Sequence, residues 1–386
     1  MSQNVLNHLL AAVGPDRPWA GVSMHADYRP AAGDKVFPPT YPVDKNSSES
    51  PYLMEKRWMA GESSPKDVVV LDQVPSQANR VETALLEARD EDRIRLPLFE
   101  LTATTSRGAE RITSLEMPHR FADAYLRDSE WDGVRFDKTD TGRRLREATV
   151  RDVRALFEFS PESLVLGAWD SHRKGRQAKF PRTYSSSMVG FDPEIGERRG
   201  GRMDPTNLTG AVADSSQADW EYAPPGEKKT KGQRLSELGH GNIAPNYAHG
   251  GVAITGAQRS AWLSLAALAR LRFGDASHEA ARLARATLAA LALAGDRLAF
   301  GGPSVWLRSG CDLVRTGHRL AFEGEDGKAE EVSLTAGQAI EVFHELRDRT
   351  DRAGIAMSEQ TIALTPIPAL AKAIEYSISH STDSGE

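Results

Sequence analysis

Strand-like apolar runs and helix-like periods follow one another along this chain without a regular strand–helix alternation. That absence is the strongest limit on its fold. A doubly wound parallel sheet needs the alternation, so the pattern favours an α+β arrangement. Asn4–Val13 reads as a short helix, Val68–Leu71 as a buried strand and Leu96–Thr105 as another strand. Ser76 is the expected cap of a helix over Gln77–Ala88, with Val81, Ala84, Leu85 and Ala88 on one face. Pro118 opens an expected helix through Leu126, and Thr149 caps one over Val153, Leu156 and Phe157. Further on, Gly251–Thr255 reads as a strand followed by a helix to Phe273, with a second helix from Ser277 to Ala294. Asp326-Gly327 marks a hairpin, Thr335 caps a helix to Arg349, and Pro366–Ile378 closes the series. No internal repeat of fixed period is evident.

The length of 386 residues permits a large core and one elaborated domain or two to three simpler ones. No apolar run reaches the ~18 residues of a membrane span, because Arg270, Arg272, Arg282 and Arg285 interrupt the Ala-rich stretch that comes closest. Met1–Asn4 shows no basic region of a secretion signal. A single cysteine, Cys311, excludes an internal disulfide and fits a reducing compartment.

Against a net charge of -6, the stretch Arg173–Arg182 (R-K-G-R-Q-A-K-F-P-R) holds five cations and no acid. Leu164–Trp169 leads in as a strand-like run, and Thr183–Gly190 leads out as a hydroxyl-rich one. The cations are therefore expected on a loop or hairpin edge between two sheet elements, with Phe180 as an aromatic for stacking. Such a loop suits a phosphate backbone; the alternative is a solvated loop without a partner.

Other segments allow two readings each. Gln77-Ala78-Asn79-Arg80 offers two amides and a guanidinium at a helix start, where they hold either a phosphate or a local cap network. Asp170, His172 and His240 are candidates for acid–base or metal chemistry, but they lack the spacing of HExxH or CxxC sites, so no metal or other cofactor is expected. The run from Pro193 to Ser236 is rich in Gly, Pro, Lys, Asp and Ser and reads as a long insertion with its own cations, Lys228, Lys229, Lys231 and Arg234. There is no Walker loop, dinucleotide turn or nucleophile elbow.

Four segments taken in order resemble one family: Gln77–Glu82; Pro118–Ala124 with Arg127-Asp128-Ser129; Leu166–His172 through Phe180-Pro181-Arg182; and Leu238–Pro245. In that order they look like the backbone RAMP subunit of type I-G CRISPR Cascade complexes, over about residues 65–310. The resemblance implies an RRM-like, ferredoxin-type palm with inserted finger and thumb elements and peripheral helices. On this reading residues 1–64 form an N-terminal extension and 65–386 the palm, with 193–236 as inserted thumb or finger and 256–295 as a helical cover. It implies several copies head to tail along a guide RNA that pairs with target DNA, alongside a large subunit, a fused guide-processing and capping subunit and a helicase–nuclease effector. It implies no catalysis. The expected RNA contacts are Gln77, Asn79, Arg80, His119, Arg120, Ser171, His172, Arg173, Lys174, Arg176, Lys179, Arg182, Lys228, Lys229 and Lys231. The competing expectation is a metal-dependent ribonuclease of the RAMP superfamily using Asp170, His172 or His240.

Overall fold

A computed structural model describes residues 2–43, 50–58, 61–171, 178–197, 201–208, 210–212, 222–223, 235, 238–243 and 250–380. The mixture of elements expected from the sequence is present, and the fold is α+β. The principal elements are, in order, α1 (Ser2–Ala12), β1 (Gly21–Pro30), β2 (Met54–Arg57), β3 (Lys66–Asp72) and α2 (Val74–Asp90). There follow β4 (Leu98–Thr105), β5 (Gly108–Thr113), α3 (Glu162–Leu166), β6 (Ala168–Asp170), β7 (Ala178–Phe180), β8 (Tyr184–Phe191) and β9 (Gly256–Ser264). The chain continues with α4 (His278–Phe300), β10 (Ser304–Arg308), β11 (Cys311–Glu323), α5 (Ala336–Arg352), β12 (Thr361–Pro366) and α6 (Pro368–His380).

The main sheet runs β10-β11-β1-β9-β8-β3-β2, every pair antiparallel, with Ala329–Glu331 added beside β11. Its four central strands come in the spatial order β11-β1-β9-β8. Along the chain they are joined as β1–α2–β8–β9–α4–β11, with long insertions before β8 and between β8 and β9. Alternation along β1 turns Val22, Met24, Ala26 and Tyr28 into the core, under α2 and α4, with α1 and α5 packed behind. A second sheet carries β5-β4-β12 and the short strand Ser129–Trp131; β4 and β12 run parallel, and α6 lies against them.

Several expectations are corrected. β1 lies between β9 and β11 at the middle of the main sheet, so residues 1–64 are not an extension beside a palm that begins at 65. The span 256–295 is not wholly helical: Gly256–Ser264 is a strand, and the helical cover begins at Leu265. Its alternation was hidden because the inward positions are Ala257, Arg259, Ala261 and Leu263, two of them small and one charged. Leu164–Leu166 belongs to a helical turn instead of a strand. α2 starts at Val74 with Pro75 in its first turn, which leaves Ser76 inside the helix and Gln73 as a cap without a side-chain bond. The segment opened by Pro118 breaks into two short turns, Arg120–Ala122 and Ala124–Arg127, and Thr149 caps nothing. The helices from Ser277 and Thr335 form as expected, the second with a full capping box between Thr335 and Gln338. Most of 193–236 lies outside the described residues.

Candidate nucleic-acid interface

β6 and β7 form a two-stranded antiparallel hairpin in the register Ala168↔Phe180, Trp169↔Lys179 and Asp170↔Ala178. The expected basic loop between elements 164–169 and 183–190 is met only in part: the second strand falls inside the basic run, Tyr184–Phe191 belongs to the main sheet, and 172–177 lie outside the described residues. The ends of the hairpin are fixed by packing. Phe180 is 2% exposed and meets Phe121 edge-on, with centroids 5.7 Å apart. Phe180 is thus an anchor of the hairpin and not the stacking aromatic expected from the sequence. The aromatic turned to solvent is Trp169, 55% exposed, with Lys179 Nζ 5.9 Å from its ring centroid. Lys179, Ser171 and Arg182 are exposed, and Arg182 forms no hydrogen bond or ion pair among the described residues.

The hairpin departs from α3 through Gly167, whose φ of 84° lies in the left-handed region. A Cβ there would sit 2.8 Å from Arg182 Cγ and 3.1 Å from the Phe180 carbonyl oxygen, so the tight passage requires glycine. The Gly167 carbonyl accepts a hydrogen bond from Arg120 Nη1 at 2.8 Å. Arg120 in turn is held bidentately by Glu82, at 2.6 and 3.0 Å. Burial pushes the Glu82 carboxyl up, and Arg120 pulls it back in part. Beneath the same corner Glu162 is buried against Ser160, and burial pushes its carboxyl up to about 7. Arg120 therefore positions the hairpin and is not one of its outward contacts. His119 is exposed, with its backbone N–H bonded to Asp123 Oδ2 at 2.9 Å.

Of the helix-start group, only Asn79 faces solvent. Gln77 is fully buried; its Nε2 donates to Asp72 Oδ2 at 2.6 Å, and its Oε1 accepts from Ser186 Oγ at 2.5 Å and Arg259 Nε at 3.0 Å. Arg80 Nε donates to Asp72 Oδ2 at 2.7 Å, and its Nη2 donates to the Leu307 carbonyl at 2.8 Å. These bonds form no helix cap but reach to Ser186, Arg259 and Leu307 far along the chain, so the local cap network is not what holds them, and Gln77 and Arg80 are withdrawn as RNA contacts. The network extends inward to a feature that the sequence did not reveal. Arg259 and Asp296, both fully buried, are paired, and Tyr184 Oη donates to Asp296 Oδ1 at 2.7 Å. Arg297 Nε reaches Asp296 Oδ2 at 2.9 Å, and the Arg259 guanidinium lies 3.7 Å from the Phe300 ring centroid. Burial alone raises the Asp296 carboxyl; Arg259 and Arg297 overcome that and hold it below the usual range.

His172, Arg173, Lys174, Arg176, Lys228, Lys229 and Lys231 lie outside the described residues. Asp170 is half-buried on β6, and His240 is exposed. Among the described residues, no group of three or more His, Cys, Asp or Glu is placed to hold a metal. No helix among them is long and apolar enough to cross a membrane.

Residues 22–194 match the family model described as CRISPR-associated protein GSU0053 (Cas_GSU0053). Over that span the chain is similar to a CRISPR-associated protein family. The matched span begins at β1 and runs past β8, so it contains the hairpin and the Arg120–Glu82 clamp; β9, α4 and β11 lie beyond it. No curated protein matches the chain.

Proposed function

We propose that this chain is a CRISPR-associated protein, a non-catalytic, guide-RNA-binding backbone subunit of a type I-G Cascade complex. The observation that carries the reading is the hairpin 168–180. It stands on a part-buried Arg–Glu clamp and turns Trp169 and Lys179 to solvent, with Arg182 at its foot. A guide-holding surface must accept any sequence, and cations with an exposed ring bind phosphates and base faces without reading base identity. The connection β1–α2–β8–β9–α4–β11 supports the ferredoxin-like, RRM-like palm, because its four strands lie in the spatial order fourth, first, third, second. In this reading target DNA is met through the guide, further copies add head to tail, and the large subunit, the fused guide-processing and capping subunit and the helicase–nuclease effector complete the complex. It works in a prokaryotic cytoplasm.

The test is charge reversal at Arg173, Arg176 and Arg182 together. Purified wild-type protein should carry nucleic acid, seen as a high ratio of absorbance at 260 to 280 nm. It should bind single-stranded RNA with a log–log salt slope of about -3.5 if five cations meet phosphates. The triple variant should fold yet fail to assemble on guide RNA. Normal assembly by that variant would overturn the reading, and RNA cleavage by the pure protein with Mg²⁺ would overturn its non-catalytic part.

A further inference from the structure

The face of the main sheet turned away from α2 and α4 holds a second feature. Along β9, Gln258, Ser260 and Trp262 point to this face, in alternation with the buried Ala257, Arg259, Ala261 and Leu263. Register places Trp262 between Ser23 of β1 and Ser185 of β8, and the next row holds His25, Ser260 and Ser187. The Trp262 indole lies across the neighbouring strand. A Cβ on Gly21 would sit 2.1 Å from Trp262 Cζ2 and 2.5 Å from Cη2, so only glycine lets the ring rest on that backbone. Trp262 nevertheless remains 37% exposed. A ring laid on a strand keeps its outer π-face for a ligand. His25 sits diagonally from it on the same face, its Nδ1 3.3 Å from Ser260 Oγ. The indole leans towards Gly21, away from His25, so the two rings stand roughly 13 Å apart along β1 and offer separate stacking points to an extended strand.

The charge on this surface selects the occupant. Two carboxylates border this surface and both are compensated: Gln258 Nε2 donates to Asp27 at 2.9 Å, and Glu323 of β11 accepts from Ser23 Oγ and from Arg319 Nη1, the latter at 2.8 Å. Arg182 stands two residues before β8, at the Trp262 end of the sheet, because Ser185 and Trp262 are partners. Hydroxyls, two flat rings and a cation at one end suit a single-stranded polyanion that presents unpaired bases.

We propose that Trp262 and His25, flanked by Ser185, Ser187 and Ser260, form a base-stacking platform for single-stranded RNA that enters past Arg182. The platform rests on the RNA-binding reading above and adds to it a surface outside the hairpin. It works through ring faces, so its contribution resists salt, whereas that of the hairpin cations does not.

The experiment titrates the full-length protein with a single-stranded RNA of mixed sequence at several salt concentrations. Trp262→Ala should weaken binding by roughly 5- to 150-fold with the salt slope unchanged. Trp262→Phe should restore most of the affinity. If the alanine variant is unfolded by circular dichroism, ultraviolet cross-linking of poly(U) to the wild type replaces it, and adducts should map to the peptides bearing Trp262 and His25. Unchanged affinity in a folded Trp262→Ala variant, or adducts confined to other peptides, would overturn the platform while leaving RNA binding in place. A wild-type protein that binds no RNA would overturn both readings.

Discussion

Arginine serves opposite purposes in two regions of this molecule. In the core, Arg259 and Arg297 converge on Asp296, with Tyr184 and Gln77 satisfying other edges of the cluster. At the hairpin, Lys179 and Arg182 stand in solvent. Desolvation makes the difference. A buried cation must be paired or it destabilises the fold by several kcal/mol, so the interior set is committed to its carboxylate. A hydrated cation carries little cost and keeps its charge available to a phosphate. Arg120 stands between the two regimes: half-buried and paired with the buried Glu82, it still reaches the hairpin through the Gly167 carbonyl.

The sharpest way to break this contrast is Asp296→Ala, which leaves two guanidinium groups buried without their shared carboxylate. Urea unfolding should show a loss of about 3–5 kcal/mol. A loss under about 1 kcal/mol would mean that the cluster is hydrated and the contrast false.

Next in size is the pH response of the hairpin's foundation. The folded-state pKa of Glu162, about 7, lies above its unfolded value of 4.5, so the native state keeps this proton longer than the unfolded chain does. Its stabilisation is present at low pH and is lost as pH rises from about 4.5 to about 7. The change is on the order of 3 kcal/mol. Urea midpoints measured across that window should fall with pH in the wild type and should flatten in Glu162→Gln.

The smallest expected change in stability is at the hairpin surface. Lys179→Ala combined with Arg182→Ala should alter stability by less than about 0.5 kcal/mol. The same pair should make the salt slope of RNA binding shallower by about 1.4. A large stability loss would place these side chains in the structural set with Arg120.

How much was legible in the sequence varies with how far each residue's partners lie along the chain. The Thr335 helix was readable because its capping box joins residues three apart. The hairpin was readable only in part from its cationic run, because its second strand falls inside that run. Gln77 and Arg80 were misread because their partners, Arg259 and the Leu307 carbonyl, lie 182 and 227 positions away. Phe180 was taken for a stacking residue because nothing local announces Phe121 beneath it. Trp262 was read into a helix, since alanines and a buried arginine hide the alternation of β9.

By itself the sequence determined the α+β class, the long helices and a likeness to CRISPR-associated proteins, because periodicity, caps and charge runs are local properties. Tertiary structure decided which polar side chains belong to the interior, that Gly21–Pro30 is a central strand, and which face of the sheet carries Trp262. Those outcomes depend on burial and pairing between segments far apart in the chain, and desolvation acts only once those segments have come together.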